Sequence, residues 1–314
     1  MKLTIDPYMF RHLSLRDMVR TVAEIGYEYI ELSPREDFMP FFLHPRADRA
    51  RVAELKSALR ETGVQLSSLL PLYRWSGPDE DARQAAVRYW KRAIELAVEL
   101  DCQVMNSEFN VRPERAAESE AQFWRSMEAL LPIFEREGVT LHLEAHPDNF
   151  VEQNSPAVDL VRGINSSQVR YLYCAPHTFH LGDDVAAMLR YAGPLLAHVH
   201  IADSFNHKGS SGLRYIINPP GSTARIHQHL DIGQGEVPWT RSSARCVSWA
   251  STASPPCACS PGRSARANHQ PSCSNRSAPD FSLNHSLRTG RLPPRGGKGW
   301  TPPMTLARER ARHP

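Results

Sequence analysis

The chain has 314 residues and a mass of 35.4 kDa, which is enough for one large domain or two ordinary ones. Its 41% hydrophobic and 23% charged residues exclude a wholly disordered protein, and no apolar run of about eighteen residues predicts a membrane span. The first residues lack the apolar region of a secretory signal, and residues 1–240 contain only two cysteines. We therefore expect a cytoplasmic protein.

The charge of the chain is divided unevenly between two regions. Residues 1–240 contain 25 Lys and Arg against 32 Asp and Glu, a net charge of −7, whereas residues 241–314 contain 12 against 2, a net charge of +10. The overall charge of +3 therefore describes neither region. We predict a compact domain over residues 1–240 and a low-complexity basic tail over residues 241–314.

Short apolar strands alternate with amphipathic helices along residues 1–240. The first helix is predicted to begin after Ser14, an N-cap residue with Asp17 three positions later, and to end before Gly26. Later helices are predicted at residues 79–99, 117–135 and 156–164. The strands are predicted at residues 3–6, 29–33, 65–72, 103–108, 140–146, 171–174 and 197–202.

Seven repeats of strand and helix predict an α/β fold, a (β/α)8 TIM barrel that stops after its seventh strand. An open doubly wound sheet is the alternative, but no G-x-G-x-x-G motif follows any predicted strand. Without an eighth strand, the first and seventh strands would expose unpaired edges. An inactive, truncated barrel is therefore one alternative for this chain.

The tail over residues 241–314 is rich in Ser, Arg and Pro and shows no helix or strand period. An Arg-rich tail could bind nucleic acid, and Cys257 with Cys259 could contribute to a metal site. The third interpretation is translation in the wrong frame. Shifting the reading of residues 245–265 by one base permits a glycine turn and an aliphatic strand. We favour this interpretation and expect a disordered, non-native tail.

Polar side chains recur at the carboxyl ends of the predicted strands, where the active sites of parallel barrels lie. Residues two apart in a strand share a face, so Glu144 and His146 converge, as do His198 and His200. Burying such groups unpaired is costly, and a divalent cation removes that cost. A mixed oxygen and imidazole set suits Mn²⁺, Co²⁺, Fe²⁺ or Zn²⁺. The remaining polar residues at strand ends are Glu31, Ser33, Asn106, Glu108 and His177.

The same polar residues could instead have purely structural roles. Glu31 and Glu108 could be satisfied by donors inside the barrel mouth, and His198 could be a hydrogen-bonded core histidine. A second polar cluster follows the seventh strand, where Arg214 and His229 could bind a phosphate, a carboxylate or sugar hydroxyls. The alternative there is a loop held by its own polar contacts. We predict Glu31, Asn106, Glu108, Arg214 and His229 as substrate-binding residues.

Five stretches of the sequence carry a family resemblance. They are ELSP at 31–34, YRWSGPD at 73–79, APHTF at 175–179, IHQH at 226–229 and GQGEVPW at 233–239. Together they resemble the xylose isomerase-like TIM-barrel family of sugar and sugar-phosphate isomerases and epimerases, and most of all its inositol-catabolism branch. The resemblance extends over about residues 1–239 and then stops. The family's more distant endonucleases fit less well, because residues 1–240 are acidic and carry no basic stripe.

The resemblance implies a metal held by a Glu on strand five, an Asp on strand six, a His on strand seven and a carboxylate on strand eight. Glu144 and His200 stand at the first and third positions. The Asp-x-x-His motif of strand six reads Cys-Ala-Pro-His here, so the acid is absent and His177 remains. We therefore predict Glu144, His177 and His200 as metal ligands, with His146 or His229 completing the shell.

The resemblance also implies proton transfer next to a metal-polarised hydroxyl or carbonyl. Glu144 and His146 are the predicted catalytic residues. We predict a metal-dependent sugar or polyol isomerase or epimerase of inositol or related carbohydrate catabolism, with a lyase or dehydratase on the same scaffold as the alternative. The expected partner is a small sugar or polyol; nucleic acid and membranes are not expected, and a homo-oligomer is left open.

Overall fold

The computed structural model describes residues 2–110, 113–147, 149–179, 184–204, 229 and 232–239. Arg214 and the predicted tail over residues 241–314 lie outside these residues, so the domain boundary and the predicted roles there stay predictions. Within the described part of the chain, no helix is both long and apolar enough to cross a lipid bilayer.

Among the described residues, seven strands form one parallel sheet in which each strand pairs with the next along the chain. This consecutive order is that of a TIM barrel and confirms the predicted α/β fold class. The strands are β1 Thr4–Ile5, β2 Tyr29–Leu32, β3 Gln65–Leu69, β4 Val104–Glu108, β5 Thr140–Glu144, β6 Val169–Cys174 and β7 Leu196–His200.

The helices follow the local signals of the sequence. The Ser14 hydroxyl accepts a hydrogen bond from the Asp17 backbone N–H, so the predicted N-cap is confirmed. A helix that the sequence analysis does not single out begins after Asp48, whose carboxylate caps the Arg51 N–H, and ends at Gly63 in the left-handed region. The helices are α1 Leu15–Glu24, α2 Arg49–Thr62, α3 Glu80–Glu99, α4 Ala116–Glu137, α5 Asn154–Ile164, α6 Ala175–Thr178 and α7 Val185–Ala192.

Three strands end at least two residues earlier than predicted. The predicted strand at 65–72 ends at Leu69, the one at 140–146 ends at Glu144, and the one at 197–202 ends at His200. Pro71 and Pro147 lie shortly beyond the first two of these ends and have no backbone N–H to donate to a neighbouring strand. The residues just beyond β3 and β5 therefore form loops at the carboxyl end of the sheet.

The outer face of the sheet packs against the helices through apolar side chains. Ile30, Leu32 and Leu143 are fully buried there. Trp75, in the loop after β3, stacks on Trp90 of α3 with ring centroids 4.1 Å apart, and its indole N–H donates to the Glu108 carbonyl at 2.8 Å. Trp75 is thus a core residue that ties this loop to the end of β4.

The inner face of the sheet curls until the side chains of β2 and β7 meet. Oε1 of Glu31 lies 2.8 Å from Nε2 of His200, although these residues are 169 positions apart in sequence. Nε2 of His198 lies 3.7 Å from Oε2 of the same carboxylate. The curl therefore gathers polar side chains from several strands inside one concave surface.

Candidate metal centre

A buried carboxylate lies between two imidazoles at the carboxyl end of the sheet. Oε2 of Glu144 is 3.3 Å from Nδ1 of His177 and 3.3 Å from Nδ1 of His200. Glu144 is 2% exposed, and among the described residues none donates a well-formed hydrogen bond to this oxygen. The structure thus brings the three predicted metal ligands together around one atom.

Three groups of side chains have ligand atoms that all lie within 4.8 Å of one another. Because neighbouring strands end at the same edge, these groups combine residues from β2, β5, β6 and β7 with the segments that follow them. They are Glu144 with Cys174 and His200; Cys174 with His177 and His229; and Glu31 with His198 and His200.

Glu31 already has partners for its oxygens. The Ser68 hydroxyl donates to Oε2 at 2.6 Å, the Asn106 amide donates to the same oxygen, and Oε1 pairs with His200. Burial acts to raise the pKa of Glu31, but His200 lowers it below its usual range. Glu31 is therefore an ionised group that holds His200 by Nε2, which leaves Nδ1 turned towards Glu144.

The charge of His200 shows that a positive charge is stabilised at this centre. Burial acts to lower the pKa of His200, but the carboxylates of Glu31 and Glu144 raise it well above its ordinary value. His200 accordingly carries a proton between two carboxylates, a place that a metal cation can take instead. With an unsatisfied buried oxygen beside it, the residue set around Glu144 fits a divalent cation.

Asn106 extends the network to the floor of the concave surface. Its amide nitrogen donates to Glu31, and its amide oxygen lies 2.8 Å from Nδ1 of His142. Since an amide oxygen only accepts, His142 carries its proton on Nδ1. Burial lowers the pKa of His142 to about 3, so the ring is neutral. Asn106 thus has a structural role here, and substrate binding by this residue stays a prediction.

His146 lies on the far side of His177. Its ring is 4.4 Å from the His177 ring, and its Nε2 is 3.6 Å from Oε1 of Glu108. The Asn149 amide donates to the other oxygen of Glu108 at 3.4 Å. Burial, followed by the charge of His146, lowers the pKa of His177 well below its ordinary value. Next to the neutral His177, His146 and Glu108 form a pair that can hold and pass on a proton.

Two residues that the sequence analysis did not select belong to this surface. Cys174 ends β6 and contributes a ligand atom to two of the three groups. Burial, followed by the charge of Glu144, raises the pKa of its thiol to about 12. Asp6 directly follows β1 and accepts hydrogen bonds from Ser33 and from the Tyr8 N–H. In the sequence, the signal for both residues is their position at the end of a predicted strand.

Asp6 as a residue is exposed, whereas its carboxyl group accepts the hydrogen bond from Ser33 at the concave end of the sheet. Desolvation at the concave end of the sheet, followed by the charge of Glu31, raises the pKa of Asp6 to about 7. Because part of the residue reaches water, its carboxyl can exchange a proton with solvent near neutral pH.

The segment after β7 is anchored to the end of the sheet. The Asp203 carboxylate accepts hydrogen bonds from the backbone N–H groups of Gly233 and Val237 at 2.8 and 2.9 Å. A Cβ on Gly235 would lie 2.5 Å from Oδ1 of Asp203, so only glycine fits there. His229, just before this segment, is exposed and places Nε2 3.6 Å from Sγ of Cys174.

The sequence matches the xylose isomerase-like TIM barrel family over residues 19–243, which is more than half of the chain. The chain belongs to this family. No curated protein matches it in sequence. The predicted family is thereby confirmed, and the family match and the parallel sheet agree on the fold.

Several solved structures share this fold at low sequence identity. The D-psicose 3-epimerase of Clostridium cellulolyticum H10, determined with D-tagatose, has a TM-score of 0.57 and 16% identity over 81% of this chain and 99% of that one. The IOLI protein with a bound zinc atom has a TM-score of 0.56 and 15% identity, covering 80% and 85%. AsbF of Bacillus anthracis, described as a probable 3-DHS dehydratase, has a TM-score of 0.53 and 14% identity, covering 66% and 75%.

Proposed function

We propose that this protein is a divalent-metal-dependent enzyme that moves a proton next to a hydroxyl or carbonyl group of a sugar or polyol. The observation that carries the proposal is the buried Glu144 oxygen, which lies 3.3 Å from Nδ1 of both His177 and His200 without a well-formed hydrogen bond. The epimerase neighbours and the zinc-containing IOLI structure support the same class of chemistry. By its resemblance, inositol or related carbohydrate catabolism in the cytoplasm is the proposed setting.

Different side chains of the site have different roles in metal binding and proton transfer. Glu144 and His200 would hold a divalent cation here, and His177 faces the same carboxylate oxygen from α6. A cation bound by these residues would polarise a substrate oxygen and so acidify the neighbouring C–H. Glu144 takes the proton from carbon, and His146, oriented by Glu108, returns or relays it.

A lyase or dehydratase is the second candidate. An epimerase of the usual kind uses two carboxylates, whereas the ligand group around Glu144 contains one carboxylate, one thiol and one imidazole. A dehydratase needs one base to take a proton and one acid to protonate the departing hydroxyl, and Glu144 with His146 meets that need. The AsbF neighbour is in keeping with this alternative.

The proposal is tested first by metal content. The full chain is loaded with Zn²⁺, Co²⁺ or Mn²⁺, desalted and measured for bound metal, beside Glu144→Ala, His200→Ala and the exposed control Glu128→Ala. We expect the wild type and the Glu128 variant to retain metal and the other two to lose it. Unchanged metal content in both site variants would show that the site is wrong.

The reaction class is tested by solvent deuterium. The metal-loaded chain is incubated in deuterated water with D-psicose, D-fructose, D-tagatose and an inosose. Deuterium incorporation with retention of the carbon skeleton and its oxygens indicates an isomerase or epimerase, whereas loss of water from the substrate indicates a dehydratase. His146→Ala should abolish either conversion while leaving the metal in place.

A further inference from the structure

Cys174 lies where three strands bring their last residues together. It is 1% exposed and ends β6, and in the parallel pairing of β6 with β7 it is the register partner of His200. Glu144 ends the strand on the other side, and the three ligand atoms lie within 4.8 Å of one another. A thiol beside a carboxylate and an imidazole indicates a functional role, because a cysteine that only packs in the core requires neither neighbour.

The thiol is also the atom that two candidate ligand groups share. Cys174 belongs to the group with Glu144 and His200 and to the group with His177 and His229. The third group lacks a cysteine, but there the Glu31 oxygens are engaged by Ser68, Asn106 and His200. The cation is therefore expected in one of the first two groups, and both include Cys174.

We propose that Cys174 is a metal ligand and that the centre consequently selects Zn²⁺ over Mg²⁺ and Mn²⁺. This inference rests on the proposed metal-dependent function and narrows it. Sulfur is a soft donor that suits Zn²⁺, whereas Mg²⁺ and Mn²⁺ prefer centres built from oxygen. On binding, the thiol proton passes to the buffer and a sulfur–metal bond forms, with no change in oxidation state.

Cobalt gives a direct readout of the sulfur ligand. Co²⁺ is titrated into the full-length chain, because a cobalt–thiolate bond produces a near-ultraviolet charge-transfer band that oxygen and nitrogen ligands do not produce. The matched control is Cys102→Ser, since Cys102 is the other buried free cysteine of the described residues and lies in the hydrophobic core. We expect the band in the wild type and in the Cys102 variant, and its loss in Cys174→Ser.

The variant Cys174→Asp separates ligation from folding. An aspartate keeps a metal-binding oxygen in place of sulfur, so this variant should bind Co²⁺ without the band. Its Zn²⁺ affinity relative to Mn²⁺ should fall by at least about tenfold, as measured by competition with a metal-sensitive dye. Circular dichroism of each variant establishes that the barrel is intact.

The outcomes distinguish this inference from the proposed function. If the wild type binds neither Co²⁺ nor Zn²⁺, both fail. If it binds Co²⁺ without the band and Glu144→Ala abolishes that binding, the metal-dependent function stands and the role of Cys174 is overturned. Persistence of the band in Cys174→Ser would assign the sulfur to another cysteine and would also overturn it.

Discussion

Glu31 and Glu144 make an instructive comparison within the concave surface. Both are 2% exposed, and both lie on the inner face of the same curled sheet, Glu31 in β2 and Glu144 in β5. Glu31 is held by hydrogen bonds from Ser68 and Asn106, whereas Oε2 of Glu144 has imidazoles nearby but no well-formed hydrogen bond from a described residue. The buried fraction therefore does not distinguish the two carboxylates, but the hydrogen bonding of their oxygens does.

The two faces of the sheet show the same contrast on a larger scale. On the outer face, buried side chains such as Leu32 and Leu143 contribute stability through apolar contact. On the inner face, equally buried groups such as Asn106 and His142 form a hydrogen-bonded chain that ends at His200. Substitutions on the two faces should therefore change different measurements.

The largest effect on stability is expected on the outer side of the sheet. Trp75→Ala removes the stack on Trp90 and the hydrogen bond to the Glu108 carbonyl, so the free energy of unfolding should fall by about 3–5 kcal/mol. Urea unfolding measures this change. Trp124→Ala, at a half-buried tryptophan of α4, is the control and should cost clearly less. Equal losses in the two variants would contradict the assignment of Trp75 to the core.

A change on the inner face should act on metal affinity. Glu31→Gln keeps the size of the side chain but removes the charge that holds Nε2 of His200. Affinity for Zn²⁺ should weaken by about 10–100-fold, because groups that orient a ligand have effects of this size. Calorimetric titration with Zn²⁺ measures the change.

The control for Glu31 is Glu80→Gln, which alters a carboxylate paired with Arg83 at the start of α3, outside the concave surface. Its Zn²⁺ affinity should equal that of the wild type. If Glu31→Gln lowers the free energy of unfolding but leaves the affinity unchanged, Glu31 supports only the fold and does not orient His200.

Much of the fold could be predicted because its signals are local. The cap at Ser14 and the one at Asp79 each depend on a side chain and a backbone N–H three residues apart. Helix α2 escaped prediction because its buried residues, Val52, Leu55 and Ala58, form a narrow stripe in a segment rich in Arg and Glu. The ends of β3 and β5 differ from the prediction where a proline follows, whereas β7 ends before its predicted end with no proline shortly after it.

The candidate site was predictable only in part. Their positions near the carboxyl ends of predicted parallel strands indicated that Glu144 and His200 lie at the same edge of the sheet, and the structure places them together with His177. Their roles as ligands stay predictions. The pairing of Glu31 with His200 could not be predicted, because it depends on the curl of the whole sheet. Cys174 stands where the Asp-x-x-His motif has its acid, and the prediction counted that ligand as absent because the carboxylate is missing.

The smallest effects are expected from two glycines in unlike surroundings. Gly235→Ala places a Cβ 2.5 Å from the Asp203 carboxylate and 2.6 Å from the Ser204 backbone, so the segment must move and about 1–3 kcal/mol of stability should be lost. Gly163→Ala lies near the end of α5, where the added methyl meets Trp124 at 3.6 Å, an ordinary contact, and should gain up to about 1 kcal/mol. Urea unfolding measures both changes, and limited proteolysis of the native protein should cut faster near residue 235 in the first variant alone. If the two variants changed stability in the same direction, the anchoring of this segment by Asp203 would not be the reason that glycine occurs there.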